Sequence, residues 1–379
     1  MHILVICFTD LKNDQRVNRQ IRFLASEHTV TAAGKASPEI PGVAFVPIEM
    51  YPKSLRGKAV AAAQLALGRY DDYYWGFHYV RDALASLADV PADLFIANDL
   101  ETLPLALALA GNRPVIFDAH EYFPRRFEDQ LKYRLLVNRY AAAMCKKYAP
   151  RAAAMIATSP GHAGLYERDL GIRPTLITNA TEYYALEPVE KGPGEPIRLV
   201  HHGMALPSRR IELTIEMMQY LDDRFTLDLF LVPGDQGYIE RLCGMAEADP
   251  RIALPDPVPG DQLVPRTHHH DVGVFLLPPT SSSYRYALPN KLFEYIQARL
   301  AVAISPSPGM MPIVQEHALG VIAADYTPQS LAHCLLSLDH ERINAYKQNA
   351  DRAAELFAPK ANKQTLLGLV RQIEASLPR

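Results

Sequence analysis

The sequence predicts an α/β protein built from two Rossmann-like domains, each of them a doubly wound parallel sheet. Three observations lead to this prediction. The chain has 379 residues, a length that favours two hydrophobic cores over one. Short apolar segments rich in β-branched residues alternate with segments of helical periodicity, which is the pattern of βαβ units. This alternation stops near residue 190 and then begins again, so the chain contains two such series.

The first domain is predicted to span residues 1–185. Between its first two strands, the segment from Asp14 to Glu27 carries Val17, Ile21 and Leu24 at helical spacing, which predicts an amphipathic helix. The predicted strands are HILVICF, HTVTAAG, VAFVPI, ADLFIAN, RPVIFDA and AAMIATS. Buried strands separated by helices indicate one parallel sheet covered on both faces.

The second domain is predicted over residues 196–358. The segment LEPVEKGPGEP concentrates proline, glycine and charge, which indicates an interdomain linker over residues 186–195. The strands predicted after it are IRLVHHG, TLDLFLV, DVGVFLL, AVAISP and LGVIAA. The helical pattern over residues 359–379 follows a complete second domain, and we expect this helix to pack back onto the first. Two such domains would enclose a central cleft at the carboxyl ends of their strands, where open parallel sheets bind ligands.

The composition and charge narrow the function classes. Hydrophobic residues make up 49% of the chain and charged residues 21%, as in an ordinary soluble globular protein. The net charge of −3 attracts no polyanion, so we expect no nucleic-acid partner. The four cysteines form no CxxC pair and are interpreted as reduced core residues. Because no apolar segment reaches the length of a membrane span and the N-terminus lacks a basic leader, we expect a cytoplasmic protein.

Several well-known motifs are absent from the sequence. It contains no GxGxxG, GxxxxGK[ST], HExxH or GxSxG, so dinucleotide binding, P-loop hydrolysis, zinc proteolysis and serine-hydrolase chemistry lose their main support. No pair of aspartates has DxD spacing. The three histidines at 268–270 point in different directions whatever the backbone conformation, so they are interpreted as a solvated loop. We therefore expect neither a cofactor nor a metal.

The segment LPNKLFEYI combines polar and charged side chains with an apolar helical pattern. Pro289 suits the first helical position, which would leave the N–H groups of Asn290 and Lys291 free to bind an anion. Lys291 adds a positive charge. Glu294 follows one turn later, where its carboxylate could accept hydrogen bonds from two adjacent hydroxyls such as those of ribose. The alternative is an ordinary helix start with an ion pair between Lys291 and Glu294.

A second candidate site follows the strand IRLVHHG. Gly203 permits close approach of the backbone to a ligand, and Arg209 follows six residues later at the start of a predicted helix. An arginine there could bind a diphosphate through two hydrogen bonds. The alternative is a solvated arginine at a helix start. Arg210 beside it has no clear role.

In the first domain, polar residues follow two predicted strands. FDAHEYF places His120 and Glu121 just past one strand end, and NDLET places Asp99 past another. Strand ends of this kind carry ligand-binding residues in parallel sheets. The alternatives are a structural hydrogen bond for His120 and a helix cap for Asp99.

Together these segments resemble the retaining glycosyltransferases of family 4, which have the GT-B fold. The resemblance rests on a glycine and a basic residue six positions apart early in the second domain, and on PNKLFEY followed by a buried strand. It extends over nearly the whole chain through DQRVNRQIRFL, NDLETLPLA, VIFDAHEYF and ITNATEY. It implies metal-free transfer of a sugar from a nucleoside diphosphate sugar, with UDP favoured and GDP as the alternative, to a hydroxyl acceptor. The implied setting is surface polysaccharide or glycolipid synthesis.

The resemblance also implies roles for individual residues. Glu294 matches the family glutamate that binds the ribose hydroxyls, and Arg209 matches the basic ligand of the diphosphate. Asn290 and Lys291 match the helix start that encloses the donor phosphates and sugar. His120 matches a histidine that approaches the donor sugar. The implied catalytic residues are therefore His120, Arg209 and Lys291.

The chain departs from the family pattern at one position. Many members carry two glutamates eight positions apart, the first of which contacts the transferred sugar, and Tyr286 stands there in this chain. Either Ser283, Tyr284 or backbone groups orient the sugar instead, or the protein has lost activity. Met204 follows Gly203 directly, so a second basic residue near the diphosphate has no match, and Lys291 is expected to compensate.

The acceptor is expected on the first domain. The candidates are Asp99, Glu121 and Arg125, with Tyr74 and Trp75 available to stack on sugar rings. The basic segment from residue 125 to residue 151 could also contact acidic lipid headgroups, which would suit a lipid-linked acceptor and a peripheral position at the inner face of the membrane. The alternative is a helix core with a solvated face.

Two other functions fit the predicted architecture. A nucleotide-sugar epimerase would need additional acid and base carboxylates in the cleft. An inactive glycosyltransferase-like partner subunit would bind a nucleotide without turnover, which Tyr286 makes worth testing.

Overall fold

The computed structural model describes residues 1–51, 55–126, 128, 131 and 133–376. The described chain divides into two compact units. Unit 1 contains Met1–Thr178, Ser281–Ser283 and the C-terminal segment from Asn362 onward, and unit 2 contains Asn179–Thr280 and Tyr284–Ala361. Each unit has one parallel sheet with helices around it, so the predicted α/β class with two Rossmann-like units is confirmed.

Unit 1 is built on a seven-stranded sheet with the order β3-β2-β1-β4-β5-β6-β7. Its strands are β1 (His2–Ile6), β2 (Thr29–Gly34), β3 (Ala44–Pro47), β4 (Leu94–Asn98), β5 (Val115–Ala119), β6 (Ala154–Ala157) and β7 (Thr175–Leu176). The strand order reverses beside β1, which pairs with β2 on one side and β4 on the other. Residues that follow β4 and β5 therefore lie at a switch point of the sheet, where ligands bind in this class of fold.

The helices of unit 1 cover both faces of this sheet. They are α1 (Gln15–Ala25), α2 (Leu55–Ala66), α3 (Tyr70–Trp75), α4 (His78–Leu87), α5 (Leu103–Ala110), α6 (Asn138–Tyr148) and α7 (Pro160–Leu170). The side chain of Asp14 caps α1 by accepting a hydrogen bond from Val17 N–H at 3.1 Å. Val17, Ile21 and Leu24 are fully buried, as their helical spacing predicts.

Unit 2 is built on a six-stranded parallel sheet with the order β10-β9-β8-β11-β12-β13. Its strands are β8 (Ile197–Ala205), β9 (Phe225–Pro233), β10 (Ile252–Ala253), β11 (Val272–Phe275), β12 (Ala301–Ile304) and β13 (Gly320–Ile322). The helices that follow α7 are α8 (Glu212–Met217), α9 (Gln236–Glu247), α10 (Gly260–Thr267), α11 (Ser282–Arg285), α12 (Asn290–Gln297), α13 (Met311–Glu316), α14 (Pro328–Leu336), α15 (His340–Leu356) and α16 (Pro359–Ser376). Two core clusters lie on the two faces of the sheet.

The last helix, α16, contributes to the core of unit 1. Leu366, Val370 and Ile373 belong to one hydrophobic cluster with residues of β1 and α1. Leu366 is 1% exposed and Val370 is fully buried. Residues that follow unit 2 in the sequence thus complete the core of unit 1.

The predicted linker over residues 186–195 is instead part of unit 2, and the boundary lies at Thr178. Lys191 is buried, and its Nζ donates to Pro196 O at 2.7 Å and lies 3.2 Å from Asp271 Oδ2. Lys347 contacts the other oxygen of Asp271 at 2.9 Å. The prolines and glycines of this segment indicate irregular backbone, but they do not make it a linker. The buried ammonium groups of Lys191 and Lys347, both paired with the Asp271 carboxylate, anchor the segment to unit 2.

The described cysteines are unpaired, and the described helices lack the combination of length and hydropathy that a membrane span requires. Cys7, Cys145, Cys243 and Cys334 are all free, and the first two are buried. Among the helices that the structure describes, none is long and apolar enough to cross a membrane.

We expect Leu366→Ala to lower the free energy of unfolding by about 2–5 kcal/mol, because it removes a buried side chain from the core of unit 1. Urea denaturation of the full chain measures the change. The exposed Gln364 on the same helix gives a matched control, since Gln364→Ala should change the free energy by less than about 0.5 kcal/mol. Equal small effects of both substitutions would show that α16 does not stabilise unit 1.

Candidate functional site

The carboxyl end of β8 brings two cations of unit 2 against a glycine. Gly203 has φ +134°, a conformation that side chains rarely adopt. A side-chain carbon at this position would lie 2.7 Å from Lys291 Nζ and 3.3 Å from Arg209 Nη1. Gly203 is therefore needed both for its backbone angle and for the space that the two cations occupy. The sequence suggested close approach to a ligand here, and the structure places Arg209 and Lys291 at the same backbone.

Arg209 lies in a short turn between β8 and α8. The turn is a 3-10 helix over Pro207–Arg209, and α8 begins three residues later at Glu212, so Arg209 does not start the helix as predicted. The Arg209 Nη1 atom donates to Met204 O at 3.3 Å. Burial lowers the pKa of Arg209. Arg210 has φ +50° and pairs with Glu212 at 2.7 Å, so it turns the chain into α8.

Lys291 is a buried cation in the first turn of α12. It is 8% exposed, and its Nζ lies 5.1 Å from the centre of the Phe275 ring. Burial, followed by the charge of Arg209, lowers the pKa of Lys291 to about 7, although Glu294 acts in the opposite direction. An ordinary surface ion pair with Glu294 would raise this pKa. The environment of Lys291 is therefore a positive one that an anion would relieve.

The N-terminus of α12 lies beside these cations. Pro289, with φ −75° and ψ 155°, is the N-cap residue, and the helix begins at Asn290, one residue later than predicted. No side chain caps this end. The N–H groups of Asn290 and Lys291 have no acceptor within the helix, because the first turn of any helix lacks them. An anion at this end would meet N–H donors as well as the ammonium group.

Glu294 lies one turn along α12 and has a neighbour that the sequence did not indicate. Glu294 is 7% exposed, and its Oε2 lies 3.6 Å from Nε2 of the buried His202. Burial, followed by the charges of Lys291 and His201, holds the pKa of His202 well below its usual range, so the imidazole is neutral. A buried histidine in a strand has no periodic signal, and only its place directly before Gly203 could have pointed to it.

The remaining donor-side candidates follow β11. The Tyr284 hydroxyl donates to Ser208 Oγ at 2.9 Å, which connects Tyr284 to the turn that carries Arg209. Ser283 is buried and is grouped with unit 1. Tyr286 is half-buried, with the Arg285 guanidinium 5.8 Å from its ring centre. A phenol thus stands where the family resemblance leads one to expect a carboxylate.

In unit 1, Asp99 and His120 form a pair at the ends of β4 and β5. Their Oδ1 and Nδ1 atoms are 3.1 Å apart. Burial, followed by the charge of Glu101, raises the pKa of Asp99 well above its usual value, and burial lowers the pKa of His120 well below its own. Asp99 has φ +69°, and α5 begins at Leu103, so Asp99 does not cap that helix. The His120 Nε2 atom is buried without a hydrogen-bond partner among the described residues.

Glu121 forms an ion pair with Arg126, the residue that follows the predicted acceptor candidate Arg125. Arg126 Nε lies 2.8 Å from Glu121, and Arg126 Nη1 lies 3.3 Å from Glu101. Arg125 is exposed. Arg126 therefore balances the carboxylates beside His120, whereas Arg125 stays at the surface.

A buried network of polar side chains connects helix α1 to strands β4 and β5. Asp118 contacts Arg16 and accepts a hydrogen bond from Gln20 Nε2 at 2.6 Å. Asn98 Nδ2 donates to Gln20 Oε1 at 3.0 Å. The network ties α1 to the ends of β4 and β5, two residues before His120.

Tyr74 and Trp75, the aromatic residues predicted to stack on an acceptor sugar, differ in how exposed they are. Tyr74 is 3% exposed, and its hydroxyl donates to Glu101 O at 2.8 Å and accepts from Leu105 N–H at 3.2 Å. It cannot stack on a sugar, and it fixes the loop that carries Glu101. Trp75 is half-buried, with its ring edge-on to Tyr74.

The histidines at 268–270 are not a solvated loop as predicted. His268 Nδ1 lies 3.0 Å from Ala298 O, and His270 contacts Thr267 O and Asp228 through its two nitrogens. His269 is exposed. The chain as described contains no group of three or more histidine, cysteine or acidic side chains that could hold a metal ion.

The geometry of the whole chain is similar to that of several glycosyltransferases. The Anabaena HepE protein, solved in complex with UDP-glucose, has a TM-score of 0.73 at 14% identity, covering 98% of this chain and 100% of that one. Sucrose-phosphate synthase of Thermosynechococcus elongatus has a TM-score of 0.76 at 17% identity, covering 100% of both chains. WaaG, a glycosyltransferase involved in lipopolysaccharide biosynthesis, has a TM-score of 0.66 at 13% identity, covering 97% of this chain and 100% of that one. The fold is therefore the GT-B fold.

Sequence comparison adds nothing to this likeness. No protein-family model matches the chain. No curated protein matches it at a significant level.

We expect Lys291→Met to stabilise the unliganded protein by about 2 kcal/mol at pH 6, because it removes a buried cation that lies beside Arg209. The folded-state pKa of Lys291 is below that of an unfolded lysine, so the charge opposes folding most strongly below pH 7. The gain should therefore shrink as the pH rises toward about 10. Urea denaturation at three pH values measures it.

Lys360, an exposed lysine of the same unit, is the control for this experiment. Lys360→Met should leave the free energy of unfolding within about 0.5 kcal/mol at each pH. A loss of stability in Lys291→Met, or a gain that does not depend on pH, would contradict the interpretation of Lys291 as an uncompensated charge.

Proposed function

We propose that the protein is a retaining glycosyltransferase that binds a UDP-sugar on unit 2 and transfers the sugar to a hydroxyl acceptor. One observation carries the proposal: Arg209 and Lys291 converge on Gly203 beside the N-terminus of α12, with Glu294 one turn further along. The likeness in fold to HepE, solved with UDP-glucose, supports the choice of donor. GDP-sugar is the alternative donor.

Each part of this arrangement matches one part of a nucleotide sugar. Two desolvated cations and the N–H groups of Asn290 and Lys291 suit a diphosphate. The carboxylate of Glu294 suits two neighbouring ribose hydroxyls. Tyr284, bonded to Ser208, would close the turn that carries Arg209 over the phosphates.

The proposed chemistry is charge stabilisation of a leaving group. The bond between the anomeric carbon and the diphosphate oxygen breaks, and the electron pair leaves with the diphosphate. The acceptor oxygen forms the new bond on the same face, and its proton passes to the departing phosphate oxygen. Arg209, Lys291 and the helix terminus stabilise the negative charge as it develops. We assign His120 to the transferred sugar, as the family resemblance implies.

Unit 1 is proposed to select the acceptor. Asp99 and Glu121 lie beside His120 and offer acceptors for hydroxyl groups, and Trp75 and Arg125 stay as outer candidates. The exposed Arg125 and Lys146 favour a lipid-linked acceptor at an acidic membrane surface. The likeness to WaaG supports a role in surface glycan synthesis.

The inactive partner subunit is kept as a second candidate because of Tyr286. Radiolabelled UDP-glucose incubated with and without glycan acceptors separates the candidates. Release of UDP together with a glycoside of unchanged anomeric configuration supports the proposal. Tight UDP binding with neither transfer nor hydrolysis supports the inactive subunit, and an altered sugar nucleotide supports an epimerase.

We expect UDP to raise the melting temperature of the protein more than CMP, since only a diphosphate engages both cations. A ligand at 100 times its Kd adds about 2.7 kcal/mol to the free energy of unfolding. Glu294→Ala should weaken UDP binding by about tenfold or more, through loss of charge-assisted hydrogen bonds to ribose. A thermal-shift titration measures both effects.

The exposed Glu247 on α9 is the matched control for this substitution. Glu247→Ala should bind UDP like the unmodified protein. If none of UDP, GDP, ADP or dTDP shifts the melting temperature, the donor site is wrong. An unchanged UDP affinity in Glu294→Ala would remove the ribose role alone.

We expect the affinity for UDP-glucose to fall by about tenfold between pH 7 and pH 8.5, because the unliganded Lys291 loses its proton near pH 7 and must regain it to bind the diphosphate. The donor diphosphate itself does not titrate in this range. Isothermal titration calorimetry in buffers of different ionisation enthalpy should show proton uptake at pH 8.

Lys291→Arg isolates the source of this pH dependence. An arginine stays charged throughout the range, so the affinity of this variant should be nearly flat with pH. An unmodified protein whose affinity does not change between pH 7 and pH 8.5 would show that Lys291 is not the titrating group.

A further inference from the structure

One contact in unit 2 that the proposed function does not use joins strand β8, just before Gly203, to helix α12, which carries Glu294. We propose that His202 is a positioning residue that fixes the carboxylate of Glu294 and thereby sets the preference of the site for ribose over deoxyribose. This inference rests on the proposed function, because it concerns how the same donor site reads its nucleotide.

The contact is buried and has no competing partner on the histidine. His202 is 3% exposed, and its Nε2 has no hydrogen-bond partner within the described ranges. Glu294 Oε2 is 3.6 Å away. A buried imidazole nitrogen without a partner costs free energy, and the carboxylate is the group placed to relieve that cost.

Packing holds the two groups in register. The His202 ring packs edge-on against Tyr295, with ring centres 5.1 Å apart, and Tyr295 is the residue next to Glu294. The Tyr295 hydroxyl donates to Val274 O at 3.1 Å. Gly273 leaves room for the Tyr295 ring, since a side-chain carbon there would lie 2.4 Å from it. Helix α12 therefore cannot rotate about its axis without moving Tyr295 off β11 and His202 away from Glu294.

Because His202 is neutral, it can orient the Glu294 carboxylate by a hydrogen bond but cannot neutralise its charge. A neutral imidazole has one N–H, and the Nε2–H tautomer directs it at the carboxylate. The terminal torsion of a glutamate is broad, so a donor on one carboxylate oxygen narrows the range of orientations that the group adopts. A donor on Oε2 would in this way hold the carboxylate in the plane that meets the sugar hydroxyls. At 3.6 Å the contact is open in the unliganded protein, and we expect it to shorten to hydrogen-bond distance when ribose binds.

His201 provides a matched control one residue away. It is also buried, but its Nδ1 contacts Val274 O at 3.0 Å and its ring stacks on Phe275. His201 and His202 are adjacent in β8, so replacing either one perturbs the same strand, but of the two it is His202 that contacts Glu294.

The test measures the Kd of UDP, 2′-deoxy-UDP and pyrophosphate by calorimetry. The unmodified protein should prefer UDP to 2′-deoxy-UDP. In His202→Phe we expect UDP to bind about tenfold more weakly, as for the loss of one oriented hydrogen bond. The ratio of the Kd of 2′-deoxy-UDP to that of UDP should then approach one. Pyrophosphate affinity should not change. His202→Gln, which retains a donor, should recover part of the preference.

Two further variants separate positioning from damage to the fold. In a Glu294→Ala background, His202→Phe should have no additional effect on UDP, because its partner is gone. His201→Phe should change the melting temperature without changing the preference for UDP. If His202→Phe does not fold, His202→Leu and His202→Gln replace it in the same comparison.

Several outcomes would overturn the proposal. If the preference for UDP survives in His202→Phe while Glu294→Ala abolishes it, His202 has no positioning role and the donor site stands. A parallel loss of affinity for all three ligands would show a purely structural role. If the unmodified protein binds none of the three ligands, the proposed function and this inference fail together.

Discussion

The structure of unit 2 depends on a close approach of two positive charges to one glycine. Arg209 belongs to the turn after β8 and Lys291 to helix α12, and both occupy space that any side chain at residue 203 would fill. Burying these two cations opposes folding, because burial lowers the pKa of both groups and the charge of Arg209 lowers that of Lys291 further. The surrounding core must therefore supply the stability, and Leu292, Phe293 and Ile296 bury one face of α12 almost completely. A bound anion would turn the same repulsion into affinity.

Unit 1 also depends on close polar contacts, but these join groups that attract each other. Its polar residues lie at or near the ends of β4 and β5, and each has a polar partner: Asp118 with Gln20, Asp99 with His120 and Glu121 with Arg126. These contacts rigidify loops that would otherwise be irregular and solvated. The result is a neutral histidine that contacts the carboxylate of Asp99 and whose Nε2 has no hydrogen-bond partner in the described part of the chain. Under the proposed function, this rigid polar edge would select among hydroxyl acceptors, which differ in hydrogen-bond geometry more than in charge.

Much of this arrangement can be predicted from the chain alone, and the exceptions are features that leave no local pattern in the sequence. The alternation of strands and helices predicts both sheets, since burial on two faces leaves a continuous apolar signal. The motif around Lys291 and Glu294 is visible because charged residues interrupt an apolar pattern. Tyr74 was misread because an aromatic residue in a surface helix gives no sign of which way it faces. His202 and the anchoring of Lys191 to Asp271 were missed because pairs far apart in sequence leave no local pattern.

Because α16 completes the core of unit 1, unit 2 is in topological terms an insertion within unit 1. The chain of unit 2 is synthesised before Leu366 and Val370, so unit 1 lacks part of its core until synthesis has passed the whole of unit 2. Until those residues arrive, the apolar surface of β1 and α1 that they cover is exposed to solvent. During that interval the incomplete first unit presents an apolar surface on which aggregation or chaperone binding can occur.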